Sequence, residues 1–180
     1  MAGYKGTGVV FVRSLIRGRG EGLERRFLSA LSEEERHLYA TTLEFHWIPI
    51  EVITRFFEIA APLIFPGQAD ALRKIGREMA FDHLRGIYRI VLRVVTVEKV
   101  IEKSARLWST YHQAGTAHLL REGPNRLVFS VHDYPTLPEL FRESTCGYIA
   151  GVFELCGVRG IRVSRFEQEN RTWHFRMSWV

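Results

Sequence analysis

Two hydrophobic periods divide the chain. Between residues 50 and 60, Ile50, Ile53, Phe56, Phe57 and Ala60 recur at helical spacing. From residue 172 onward, Trp173, Phe175, Met177 and Trp179 alternate with Thr172, His174, Arg176 and Ser178, which predicts a strand with one buried and one wetted face. The helical period governs most of the first 113 residues. Residues 21–31 and 33–43 predict two helices, the second with Ser32 as its N-cap. The helix around Phe56 and Phe57 starts near Pro49 and ends near Pro62 and Pro66. Residues 69–95 predict the longest helix. Leu72, Ile75, Met79, Ile87, Val91 and Val94 mark its buried side, and Gly76 and Gly86 permit close packing or a bend. Residues 97–113 predict a strongly amphipathic helix. Val97, Val100, Ile101, Ser104, Trp108, Tyr111 and His112 share one face, and Glu98, Lys99, Glu102, Lys103 and Arg106 the other. Residues 8–17, "GVVFVRSLIR", stay open between a strand and a short helix: β-branched content favours the first, apolar spacing permits the second.

After Gly115 the period shortens to two. Residues 116–122 show no clean alternation, but "EGPN" at 122–125 signals a turn. Leu127, Phe129 and Val131 then alternate with Arg126, Ser130 and His132, a strand. Thr136 and Glu139 predict a capping box, with Pro138 in the first turn of a helix that runs to about Cys156 and stops at Gly157. Leu137, Phe141, Ser144, Tyr148, Val152 and Cys156 lie on one side of that helix. Gly147 and Gly151 flank this side and let a neighbouring backbone approach closely, and Cys146 faces the polar side. A strand over 161–167, a turn at Asn170 and the Trp-rich strand complete the chain. The pattern predicts one α+β domain spanning 1–180. A helical half covers about 1–113. A half covering about 114–180 carries a four-stranded antiparallel sheet, built of two hairpins joined by a helix.

Composition adds limits. The chain has 180 residues, 46% of them hydrophobic, enough for a sizeable core. Charge breaks its apolar runs, Arg13 in "VVFVRSLI" and Arg93 in "IVLRVV", so neither a membrane span nor a secretory segment is expected, and a cytoplasmic location is. On one predicted helix, Cys146 and Cys156 lie about 15 Å apart, too far for a disulfide, and read as free thiols. The net charge is +5, carried almost wholly by arginine. Arg73, Arg77, Arg85, Arg89 and Arg93 form a slowly winding stripe interrupted by Phe81. The stripe reads either as a solvated face paired with Glu78 and Asp82 or as a surface for an acidic partner. No nucleic-acid recognition motif accompanies it.

The opening "YKGTGVV", the segment "IGREMAFDHLRGIY" and the C-terminal run from "CGYIAGVFELCG" to "RTWHFRMSW" together resemble the haem-nitric-oxide/oxygen-binding (H-NOX) domains. They also resemble the relatives of those domains, the vinyl-4-reductase and TRAPP-type domains. The whole chain most resembles an uncharacterised bacterial family abundant in myxobacteria, which shares the Lys-Gly-Thr start, a "WIP" step (Trp47 to Pro49) and a closing strand ending in Trp. The resemblance implies a helical half closing on a sheet, a ligand cavity between them, and interaction through partners or dimerisation. It also raises haem, with His112 as the candidate axial ligand. H-NOX domains clamp the haem propionates with Tyr-x-Ser-x-Arg, and that motif is absent from this sequence. The expectation is therefore no cofactor.

Other chemistries lack their motifs. His112, His118, His132, Asp133 and His174 have no spacing that links them into a zinc site. "GTG" and "RGRGEG" fail the spacing of phosphate-binding loops. Cys156 sits on a buried side, where a thiol is inert. Two functions remain. One is a non-catalytic sensory or regulatory module with a small apolar ligand in a cavity walled by Trp47, Phe56, Phe57, Trp108, Tyr111 and His112. The other is an interaction protein or homodimer with no small ligand, its contact surface the arginine stripe or the edge of the final strand.

Overall fold

The computed structural model describes residues 2–84, 97–134, 136–168 and 172–180. It is α+β, with the elements in the predicted order. Strand β1 (Gly3–Lys5) leads into α1 (Thr7–Arg17), α2 (Glu21–Ser29) and α3 (Glu33–Thr41). Residues 8–17 are thus helical. Val9, Val12 and Ile16 are fully buried at spacings of three and four, and Arg13 turns outward. Its guanidinium donates to the carbonyls of Tyr39, Ala40 and Thr42 at 2.7, 3.0 and 3.1 Å and so caps the end of α3. At the other end of α3 the capping box forms: Glu35 N donates to Ser32 Oγ, and Ser32 N donates back to the Glu35 carboxylate.

Strand β2 (Trp47–Pro49) pairs antiparallel with β1, a two-stranded sheet that the sequence pattern did not predict. Helix α4 (Ile50–Ile64) follows. All five of its predicted apolar positions are fully buried. Helix α5 (Ala71–His83) covers the first part of the predicted 69–95 helix; residues 85–95 lie outside the described set. Helix α6 (Val97–Tyr111) stops four residues before Gly115, whose φ of 74° belongs to the turn into the next strand, not to the helix end.

The four-stranded sheet comprises β3 (Thr116–Gly123), β4 (Arg126–His132), β5 (Arg162–Gln168) and β6 (Thr172–Ser178), all antiparallel in the order β3-β4-β6-β5. Two hairpins joined by α7 (Glu139–Leu155) build it, as expected. Residues 116–122 are strand after all. A register shift between Arg121 and Gly123 interrupts the pairing there. The final strand β6 is central, not an edge, because it pairs with β4 on one side and β5 on the other. An edge-to-edge dimer through it is therefore ruled out by topology.

Helices α5 and α7 press backbone to backbone. A Cβ on Gly147 would sit 1.8 Å from the Arg73 carbonyl oxygen, and one on Gly76 the same distance from that of Ser144. Two predictions for α7 fail. The Thr136–Glu139 capping box is absent: Pro138 is the N-cap, with an extended ψ of 141° and no side-chain capping bond. Cys146 is buried rather than on a polar side, because α5 covers one flank of the helix and the sheet another. Both cysteines are free, and burial pushes each thiol up to about 11.

Candidate ligand-binding cavity

A cavity of about 570 Å³ lies between α5, α6, α7 and the inner face of the sheet. Alternation along β3, β4 and β6 aims Leu119, Phe129 and Met177 into it. Helix α7 contributes Phe141, Thr145, Tyr148 and Ile149, and α5 contributes Met79. Helix α6 supplies Trp108, Tyr111 and His112 from the wall and Lys99, Lys103 and Arg106 from the exposed rim. Tyr4 reaches the wall because β1 is tied to the end of α6: Gln113 N donates to Gly3 O at 3.0 Å, and Tyr4 bridges to His112.

The wall is mostly apolar, with a few polar groups set into it. The His112 ring stacks flat on Trp108, with centroids 3.6 Å apart, and meets the edges of Tyr4 and Phe141 at 4.9 and 5.7 Å. Its Nδ1 lies 3.4 Å from Tyr134 Oη. Burial lowers its pKa to about 3, so the imidazole is neutral. Burial likewise holds Tyr4, Tyr134 and Tyr148 protonated, their pKa values raised well above the usual phenol range. Tyr4 Oη donates to Met79 S at 3.8 Å, and the buried Tyr148 hydroxyl lies beside that of Tyr111.

The six wall residues named from the sequence divide. Trp108, Tyr111 and His112 line the cavity. Phe56 and Phe57 are fully buried in the core beside it, where Phe57 stacks on Phe141 at 6.0 Å. Trp47 is 40% exposed, because β2 carries it to the surface, where the Lys5 ammonium sits 4.2 Å above its ring. The arginine stripe divides as well. Arg73 bridges to Glu143 and to the Val163 carbonyl, and Arg77 bridges to Glu154 and packs over Phe81. Both of these carboxylates come from α7, across the contact between the two helices. Arg85, Arg89 and Arg93 lie outside the described residues. Tyr4, Met79, Phe141 and Tyr148 had given no signal as cavity residues, since they converge only through the β1 pairing and the α5–α7 contact.

His118, His132 and His174 gather on the opposite face of the sheet, through the pairing His118–Ser130–His174. Ring centroids are 5.3 Å apart for His118 and His132 and 6.3 Å for His132 and His174. Among the described residues, no group of three His, Cys, Asp or Glu side chains could hold a metal ion.

Helices stacked on a β3-β4-β6-β5 antiparallel sheet define an H-NOX-like fold. The Fe(II) unliganded H-NOX protein from K. algicida matches 98% of this chain and 96% of its own, with a TM-score of 0.67 at 11% identity. The solution structure of an H-NOX from Shewanella woodyi in the Fe(II)CO ligation state matches 97% and 94%, with a TM-score of 0.66 at 12% identity. A mutant H-NOX of T. tengcongensis matches 97% of each chain, with a TM-score of 0.54 at 15% identity. Among curated proteins, no sequence matches. Residues 9–180 match the family model DUF2378, described as a protein of unknown function, and the chain belongs to that family.

His112 offers a neutral imidazole whose Nδ1 is directed at Tyr134, which leaves Nε2 as the nitrogen that could face a metal. The propionate-clamp motif Tyr-x-Ser-x-Arg is absent from the sequence, and among the described lining residues the cations sit on α6.

Proposed function

We propose that this chain is a non-catalytic sensory or regulatory module that holds a small apolar ligand in the cavity between α5, α6, α7 and the sheet. The cavity itself carries the reading. Its volume lies within the range of small-molecule sites, and its lining is mainly aromatic and aliphatic with a few inward polar groups. The wall also joins elements that a ligand could bias together. Through the β1 contact to His112 and Gln113, ligand contact with α6 is relayed to the N-terminal strand and to β2. The H-NOX proteins of the same fold are described in Fe(II) forms, which supports ligand binding as the use of this architecture; the missing Tyr-x-Ser-x-Arg favours an organic ligand without iron here.

The test is equilibrium binding of Nile red, a neutral apolar dye, to the whole chain and to Ile149→Trp, which fills the cavity from α7. Saturable binding lost in the variant supports the reading. Binding that the variant leaves unchanged contradicts it.

A second reading, an interaction protein without a small ligand, draws on Leu43, Phe45 and Trp47, large apolar side chains 48, 66 and 40% exposed within five residues of sequence. Dye binding absent from both forms favours this reading.

A further inference from the structure

We infer that the Tyr4 hydroxyl is the recognition group of the cavity, and that the ligand is a neutral, ring-bearing carbonyl compound whose oxygen replaces the Met79 sulfur as its acceptor. This rests on the ligand-binding reading above and names the ligand class for the same site.

Donor and acceptor are mismatched at this point of the wall. Tyr4 and Met79 both line the cavity and are 3% and 2% exposed. The phenol is a good donor, and burial keeps it protonated. Its acceptor is a thioether, a weak one, at 3.8 Å. Three other donors of the wall end on carbonyl oxygens. Trp108 Nε1 donates to Ala114 O at 3.0 Å, Thr110 Oγ1 to Arg106 O at 2.9 Å, and Thr145 Oγ1 to Phe141 O at 2.9 Å. A buried hydroxyl held on sulfur gains when a carbonyl oxygen comes within reach.

The Tyr4 ring is fixed before any ligand arrives. Strand β1 pairs Tyr4 with Ile48 and bridges it to His112. A Cβ on Gly8 would sit 2.7 Å from Tyr4 Cε1, so α1 lies directly against the ring. The His112 and Phe141 rings meet it edge-on at 4.9 and 5.2 Å. The O–H can turn from Met79 to a ligand without moving the ring, and a donor already in place costs little to use. The same neighbours, with Trp108 and Phe129 on the wall, set the body of the ligand. Flat rings gain edge and offset contacts with aromatic walls beyond their burial. A neutral oxygen suits the phenol, because one uncharged donor does not repay the desolvation of a full charge.

Equilibrium dialysis against 9-fluorenone and against fluorene tests the inference. The two share a flat ring system and differ in whether a carbonyl is present. The whole chain is compared with Tyr4→Phe, which keeps the ring, and with Met79→Leu, which removes the sulfur at similar volume. Unfolding temperature is recorded for each. Tyr4→Phe should weaken fluorenone binding about fivefold, the worth of one neutral hydrogen bond, and leave fluorene unchanged. Met79→Leu should tighten fluorenone binding and leave fluorene unchanged. The infrared carbonyl stretch of fluorenone bound to the whole chain should fall below its position in hexane, which keeps the test decisive even where Tyr4→Phe does not fold. A stretch at the hexane position, or a Tyr4→Phe effect that is equal for the two ligands, overturns the inference and leaves the cavity reading standing. Fluorene bound without fluorenone does the same. Binding of neither, or binding that Ile149→Trp leaves intact, overturns both.

Discussion

The imidazole of His112 lies parallel to the indole of Trp108, with planes 3° apart. The two residues are four apart at the end of α6, so the helix itself sets the stack. Trp108 Nε1 donates to Ala114 O at 3.0 Å, which ties the same pair to the turn at Gly115 and to the start of β3. This histidine is a packing residue of the cavity wall.

Replacing it separates packing from chemistry. His112→Ala should destabilise the protein by about 2–4 kcal/mol, the cost of truncating a buried ring among aromatic neighbours. His112→Phe keeps a ring of similar size and should recover most of that loss. Denaturant melts of both variants decide the matter. Equal stability of His112→Ala and the unmodified chain would contradict the packing role.

Acid should weaken the fold before the carboxylates titrate. Burial lowers His83 to about 4 and His112 to about 3, against an ordinary histidine value near 6.5. The unfolded chain therefore binds more protons than the folded one below about pH 6.5, and stability falls as pH falls through that window. By pH 5 each histidine should cost about 2 kcal/mol. Urea midpoints measured from pH 7.5 to 5 should decline, and less steeply in His112→Phe. A flat profile would show that neither ring is buried as described.

The α5–α7 contact has no room for a methyl group. Gly147→Ala would place a Cβ against the Arg73 backbone and should cost about 3 kcal/mol or more. Gly22→Ala in α2 meets open space and should stabilise by up to about 1 kcal/mol. Thermal melts of the pair would show opposite shifts; similar small shifts would refute the close approach.

Glu143 joins α5 to β5 through α7, accepting from Arg73 Nε at 2.8 Å and from Arg165 Nε at 2.5 Å. Partial burial works to raise its pKa, but the two guanidiniums prevail and hold it below the usual glutamate value. Glu143→Gln keeps the shape and removes the charge, and should destabilise by about 1–2 kcal/mol. Its effect should fade when Arg73 is also changed to Gln, in a double-mutant cycle.

Much of this fold was legible because each period pointed to one element. The alternation of Trp173, Phe175 and Met177 marked a strand, and the spacing of Ile50, Ile53 and Phe57 marked a helix. Ser32 and Glu35 announced their capping box. The same motif at Thr136 and Glu139 failed because Pro138 keeps the backbone extended up to the first helical residue. Cys146 was misplaced because helical spacing shows which residues share a face but not how many faces are covered. The central position of β6 is a property of pairing, which no single strand records. Trp108, Tyr111 and His112 were readable as one face, and they line the cavity. Tyr4 was not readable, since it reaches His112 from more than a hundred residues away through β1. Trp47 misled because an aromatic next to a helix start reads as core, and β2 instead turns it outward over Lys5.

The most direct measurement of the central claim is native mass spectrometry of the gently purified chain, with its absorbance spectrum, beside Ile149→Trp. The account predicts an added organic mass without iron, no Soret band, and loss of the added mass in the variant. A polypeptide mass alone, or an iron-porphyrin mass with a Soret band, would contradict it.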